Sequence, residues 1–365
     1  MTKPPPLFGT IVLAGVGLIG GSVGLGIRQR FLAQKVIGYD KTRQTLEAAI
    51  SLGIIDEAHS VPGNWLHQAD LVILSSPVRA LVPLGLELAN YLRKDCLITD
   101  VGSVKEAVVE GLGNLLFVGG HPMAGSERNG VKHADASLLE NAVWVLTPTS
   151  VTDPVALQRI EHFVRHLGAQ PLNMDPKKHD RLVASVSHLP YLAAVALTEL
   201  ISNDQDKDLM MLLAAGGFRD LTRVASGNPH MSRDMVVANS TAVKQSLHQF
   251  TCLLQNLSDN LDKPDDFLEQ AKQVKKTRDE IPVVRRSLLP ARFEVVLALP
   301  DRPGQLALVT QAIGKANVNI CDIEVLSIRE AGGALRIAFD DQVGMNRGKK
   351  ALQKAGYEVI IQGEH

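Results

Sequence analysis

The residues best suited to chemistry gather in a few short stretches. Gly119-Gly120-His121-Pro122-Met123-Ala124-Gly125-Ser126-Glu127 sets one histidine among glycines and a proline. The glycines permit backbone angles closed to other residues, while Pro122 fixes its own φ and biases His121 away from the helical region. The run is therefore expected as a rigid loop, neither helix interior nor strand. An imidazole ionises near neutrality, so one aimed from such a loop is a ready general base; the other reading is a capped turn carrying a surface histidine. Ser103 opens a helical pattern with Glu106 three residues on. That Ser-x-x-Glu is a capping box, so the hydroxyl serves the helix end, a site, or both. His188 precedes Pro190 in a long apolar helix, where the proline removes one helix hydrogen bond. It is either a satisfied core histidine or a cavity residue. Arg219 and Arg223 share a helix face four residues apart, which suits a bidentate grip on a carboxylate or, equally, a surface salt-bridge lattice with Asp220.

These residues need elements to hold them. Thr10 to Ala14 reads as a buried parallel strand, and Gly15-Val16-Gly17-Leu18-Ile19-Gly20 follows it and opens a helix. In that context Gly15 allows the tight turn, Gly17 lets backbone approach a pyrophosphate, and Gly20 lets helix and strand pack closely. A second strand ends in Asp40, about twenty positions on, placed for the adenosine ribose hydroxyls and so for NAD over NADP. Arg43 weakens that preference slightly. Strands at 70–75 and 96–101 alternate with helices, with Ser75, Ser76, Pro77, Asp100 and Ser103 at the strand ends, where a parallel sheet binds its ligands. Ser76-Pro77 is expected as an N-cap and first-turn pair. A further strand spans 141–147, and Asp153-Pro154 and Asp175-Pro176 start helices.

From about 173 to 288 the pattern is helical, ending in a helix from about Pro229 to Leu261 and another from Asp265 to Glu280. Such a domain usually supplies a substrate cleft and a subunit interface. After a linker, residues 291–365 change texture to β-α-β-β-α-β, a ferredoxin-like split unit without nucleophile or metal set, and so of regulatory character.

The totals agree with two or three domains and a small-molecule or protein partner. Thirty-eight basic against 39 acidic residues give net charge −1 with no basic block, so no nucleic-acid partner is expected. Three distant cysteines, Cys96, Cys252 and Cys321, fit a reducing compartment, and a cytoplasmic location is expected without metal site or membrane span. The uncharged run Gly9 to Ile27 has the length of a span, but its glycines in fixed order after a strand argue against one, and no other stretch is expected to be long and apolar enough.

With these motifs in order, the chain resembles the prephenate dehydrogenase family over essentially its whole length. The carriers are the run Gly15 to Ser22, Asp100-Val101-Gly102-Ser103-Val104-Lys105, Gly119 to Glu127, Ser187-His188-Leu189-Pro190 and Gly217-Phe218-Arg219-Asp220-Leu221-Thr222-Arg223. The tail resembles an ACT domain through Asp301-Arg302-Pro303-Gly304 and Asn317-Val318-Asn319-Ile320. The resemblance implies an α/β fold: a Rossmann-type doubly wound parallel sheet over residues 1–172, an all-helical substrate and dimerisation domain over 173–288, and an ACT domain over 291–365. It implies oxidative decarboxylation of prephenate by NAD in tyrosine biosynthesis, in a homodimer, with tyrosine as effector at the tail residues just quoted. His121 would be the base and Ser103 its partner, with Arg223, His188, Arg219, Glu127 and Ser126 around the substrate. Arogenate dehydrogenase is the near alternative. A non-catalytic amino-acid sensor is the alternative from another class.

Overall fold

The computed structural model describes residues 5–125, 128–280, 293–300, 302–327, 333–339 and 341–361. They fall into two units, 1–282 and 283–365.

In the first unit the alternation of apolar runs and capped helices yields β1 (Phe8–Ala14), α1 (Leu18–Arg30), β2 (Ala33–Tyr39), α2 (Arg43–Ser51), β3 (Glu57–His59), β4 (Leu71–Leu74), α3 (Val78–Ala89), β5 (Leu97–Asp100), α4 (Glu106–Leu112), β6 (Phe117–Pro122), β7 (Val143–Thr147), α5 (Pro154–His166) and β8 (Gln170–Asn173). The eight strands form one sheet in the order β3-β2-β1-β4-β5-β6-β7-β8. Every pair is parallel except β6 and β7, which run antiparallel from Gly119 opposite Thr147 to Pro122 opposite Trp144. Strand order reverses between β1 and β4, which opens a crevice at their carboxyl ends. One apolar core lies under α1, α2 and α5 (Val23, Ile27, Leu46, Ile160, Phe163), the other under α3 and α4 (Leu81, Leu84, Leu88, Val108, Leu112). Burial on both faces explains why the strands read as continuous apolar runs.

The helices that follow are α6 (Pro176–Val183), a π turn (Ala184–His188), α7 (Leu189–Ser202), α8 (Lys207–Leu213), α9 (Gly216–Thr222), a 3-10 turn (Arg223–Ser226), α10 (Pro229–Ala238), α11 (Ser240–Asp259) and α12 (Pro264–Glu280). Asp153, Asp175 and Asn228 each cap a helix whose next residue is proline, accepting hydrogen bonds from first-turn amides. The helix expected from Pro229 to Leu261 is broken at Asn239, which has φ −112° and ψ 28°. The run Pro176–Ser202 is long and apolar enough by composition to cross a membrane, contrary to expectation. It nevertheless carries the buried polar residues His179, Asp180 and His188.

The second unit comprises β9 (Glu294–Leu299), α13 (Gln305–Lys315), β10 (Asp322–Ser327), β11 (Gly333–Ala338), α14 (Gln342–Lys354) and β12 (Val359–Ile361). Its antiparallel sheet has the order β10-β11-β9-β12, the ferredoxin-like arrangement, over a core of Val295, Leu297, Val309, Ile313, Leu335 and Leu352. Buried Arg336 bridges Glu294 and Asp322 across three neighbouring strands.

Candidate active site

The crevice begins at the glycine turn. Gly15 takes φ +101° and donates its amide to the Tyr39 carbonyl at 2.8 Å. A Cβ there would stand 2.7 Å from the Ser75 carbonyl oxygen, and one on Gly20 would stand 2.2 Å from the Gly15 oxygen. On Gly17 it would meet nothing within 4 Å, so that backbone faces open space. No side chain caps α1, which starts at Leu18 and Ile19, and no acid sits in its first turn, so its leading amides stay available to an anion. Asp40 steadies the turn, accepting from Val16 N at 3.1 Å and from Thr42 N at 2.8 Å. Ser76 Oγ donates to the Ala14 carbonyl at 3.4 Å, beside Ser75. Pro77 is itself the N-cap of α3, so the helix starts one residue later than expected. Arg43 is exposed and paired with Glu47 along α2 at 2.9 Å. This cradle fits a dinucleotide pyrophosphate.

His121 lies on β6, so the expected loop is a strand. Gly119 and Gly120 serve close packing and not freedom to turn. A Cβ on Gly119 would fall 2.4 Å from Thr147 Oγ1, and one on Gly120 would fall 2.6 Å from the Asp100 carbonyl and 2.7 Å from Trp144 Nε1. The strand is also pinned electrostatically. Lys105 and Asp100 form an ion pair with no exposed surface; Lys105 Nζ donates to the Gly120 carbonyl at 2.8 Å, and Asp100 accepts from Gly120 N at 2.9 Å and Gly102 N at 2.8 Å. Asp100 was expected to touch cofactor. Its oxygens are instead committed to Lys105 and these amides, so it acts on a ligand only through the backbone it holds.

Behind His121 runs a chain of hydrogen bonds. His121 Nδ1 and His179 Nε2 are 2.9 Å apart, and His179 Nδ1 and Asp180 Oδ1 are 2.7 Å apart. The Asp180 carboxylate also accepts from Lys105 N at 2.7 Å and Glu106 N at 2.9 Å, capping α4 from another element. A carboxylate only accepts, so His179 carries a proton on Nδ1; with one proton on each ring it receives at Nε2, and His121 donates from Nδ1 and presents a bare Nε2. Burial, then the neighbouring His179, Lys105 and His188, push the His121 pKa well below its ordinary value, so the ring is neutral at pH 7.

His188 ends the π turn, where the ladder absorbs the amide missing at Pro190. It is completely buried, its Nδ1 lies 3.3 Å from Asn239 Nδ2, and its Nε2 has no partner among the described residues. Burial lowers its pKa to about 4. Ser103 is half-buried beside Asp100 and Lys105, and its side chain makes no hydrogen bond among the described residues; the capping box does not form, because Asp180 takes that place. Arg219 (α9) and Arg223 (3-10 turn) are exposed on segments that pack against α7. Ser126 and Glu127 lie outside the described residues, as does Asp301 in the second unit. There Arg302, Pro303 and Gly304 precede α13, with Gly304 at φ +87°, and Asn317, at φ +52°, stands with Asn319 and Ile320 between α13 and β10.

The first two segments of the chain match known families directly. Residues 23–172 match the model described as prephenate dehydrogenase, nucleotide-binding domain, and residues 175–276 match prephenate dehydrogenase, dimerization domain. The chain belongs to the prephenate dehydrogenase family. Prephenate dehydrogenase of Bacillus subtilis is 32% identical over 362 residues, spanning 96% of this chain and 98% of the relative. Among solved structures, prephenate dehydrogenase from A. aeolicus in complex with hydroxyphenyl propionate and NAD+ is 34% identical with a TM-score of 0.72, covering 75% of this chain and 98% of that one. Arogenate dehydrogenase of Synechocystis is 32% identical with a TM-score of 0.66, covering 75% of this chain and all of that one.

In this family member four residues at the site escaped the sequence reading: His179, Asp180, Lys105 and Asn239. His179-Asp180 reads as an ordinary polar pair in a first helical turn, and its pairing with His121 spans 58 positions. Lys105 reads as solvent-exposed by type. Asn239 had one available signal, since a strong N-cap type in mid-helix marks a break.

Proposed function

We propose that this chain oxidises and decarboxylates prephenate to 4-hydroxyphenylpyruvate. As a member of its family it is an NAD-dependent dehydrogenase. The observation that carries the reading is the hydrogen-bond chain Asp180, His179, His121, which leaves a neutral imidazole nitrogen as acceptor beside the nucleotide crevice. NAD, when bound, accepts the hydride from the ring carbon bearing the hydroxyl. His121 Nε2 takes the hydroxyl proton as that carbon becomes a carbonyl, and the positive charge that develops is stabilised through His179 by Asp180. Loss of carbon dioxide then makes the ring aromatic, and His121 returns the proton to the phenolate. The buried Nε2–H of His188 suits a substrate oxygen, and Arg223 with Arg219 suits a carboxylate. Ser103 is proposed to bond His121 or the same hydroxyl, the role that the family resemblance implies.

Exposed apolar side chains on the helical segment, including Leu200, Leu212, Leu213, Leu254 and Leu268, support a homodimer. The second unit, with the strand order of an ACT domain, is proposed to bind tyrosine around Gly304 and Asn317 and to inhibit. Arogenate is the rival substrate, differing only by an amino group in place of the ketone. One assay separates these readings: NADH formation with prephenate and with arogenate, each with and without tyrosine. Turnover of prephenate that tyrosine suppresses is expected. No signal with either substrate would favour a non-catalytic sensor, and activity indifferent to tyrosine would leave the second unit a structural role.

A further inference from the structure

Asn239 interrupts what would otherwise be one helix from α10 into α11, and its side chain turns back toward the site. The amide atom 2.7 Å from the Asp180 carbonyl oxygen must be the NH2, because a carbonyl offers nothing to an amide oxygen. That same nitrogen is 3.3 Å from His188 Nδ1. With one hydrogen on Asp180 O, the other goes to Nδ1, which must then be unprotonated. Neutral His188 is left with its proton on Nε2, a fully buried donor with no partner among the described residues. Such a donor is costly to bury unless something accepts from it.

We infer that Asn239 is a positioning residue: it fixes His188 as the tautomer that carries its proton on Nε2, and so keeps an N–H ready for a substrate oxygen. The role toward substrate rests on the reading above; the tautomer does not. A neutral donor suits this reaction, since it orients an oxygen without adding positive charge beside His121. The titratable groups that face His188 are Asp180 and His179 of α6 and His121 of β6. The facing surface of α11 contributes Ser246, which bonds Ser185 at 3.0 Å.

The test uses the full-length enzyme with 15N-labelled histidine. Long-range 1H–15N correlation spectra, assigned by loss of one signal in His188→Asn, report the tautomer without any substrate. A proton on Nε2 at pH 7 is expected, and a proton on Nδ1 would overturn the inference even if every Asn239 variant failed to fold. Asn239→Ala removes the donor to Nδ1; Asn239→Asp replaces it with a carboxylate that can only accept, forcing a proton onto Nδ1. Both should lower kcat/KM for prephenate by roughly 10- to 100-fold, the usual range for a supporting residue, with NAD affinity unchanged. The deficit of Asn239→Asp should shrink as pH falls, because imidazolium regains the Nε2 proton, while that of Asn239→Ala should not. Identical pH profiles for the two variants would overturn the inference. A correct tautomer without turnover of prephenate would retain the Asn239 role and reject the substrate.

Discussion

His121 Nδ1 lies 2.9 Å from His179 Nε2, with the two rings nearly perpendicular at 79°. This contact settles which nitrogen of His121 is a base. Because Asp180 fixes the proton of His179 on its far nitrogen, His121 can only donate toward it, and its lone pair faces away.

His121→Asn should lower kcat by roughly 10²- to 10⁴-fold, the usual contribution of a general base. NAD affinity should stay within twofold, because the glycine turn and Asp40 do not touch His121. Steady-state kinetics and NAD titration by fluorescence check both; an unchanged kcat removes His121 from the proton transfer.

His179→Leu should lower kcat by roughly 10- to 100-fold, since the tautomer and orientation of His121 lose their support. His179→Gln should recover part of it, because an amide oxygen can still accept from His121 Nδ1. Equal activity of the two variants would show that His179 only fills space.

Much of the fold was legible because the signals were local. The glycine turn and the Asp-Pro caps each act within a few residues, and the buried strands declare themselves by unbroken apolar runs. The candidate site was legible only in part. Gly119 and Gly120 look like turn residues in sequence, but what demands them is Thr147, Trp144 and the Asp100 carbonyl on neighbouring strands. Asp100 looks like a ligand-facing acid at a strand end, and only the burial of Lys105 beside it shows otherwise. Asp180 replaces the capping box that Ser103 and Glu106 advertise, through a contact 74 positions away. For the glycines and the helix cap the deciding partner is distant in the chain; for Asp100 it is only five residues on, and burial decides.

Lys105→Ala strands the Asp100 carboxylate in a site with no exposure, and breaking a buried pair from one side typically costs about 3–5 kcal/mol. A lower chemical-denaturation midpoint is expected, together with loss of kcat, since Lys105 also holds the Gly120 carbonyl next to His121. Adding Asp100→Asn to Lys105→Ala should restore part of the stability by removing the unpaired charge. A double variant no more stable than the single one would contradict the ion-pair account.

Arg223→Ala should act on binding. The arginine lies in the 3-10 turn after α9, and a grip on a substrate carboxylate acts on binding, so KM for prephenate should rise by tenfold or more with kcat little changed. An unaltered KM removes the carboxylate role, and a selective loss of kcat would move Arg223 into the chemistry.

Acid should weaken the protein through His188. Its folded-state pKa is about 4, against an ordinary 6.5 in the unfolded chain. Between those values the unfolded state binds a proton that the folded state refuses, so stability is full above pH 6.5 and falls as pH is lowered toward 4. The difference amounts to about 3 kcal/mol from this residue, and His121 adds loss of the same sign. His188→Asn, which cannot titrate, should therefore show a flatter decline of Tm between pH 6.5 and 4 than the wild type, whatever its stability at pH 7. Parallel curves would mean that His188 takes up its proton in the folded state as readily as in water, and the neutral donor assigned to the substrate site would be lost with it.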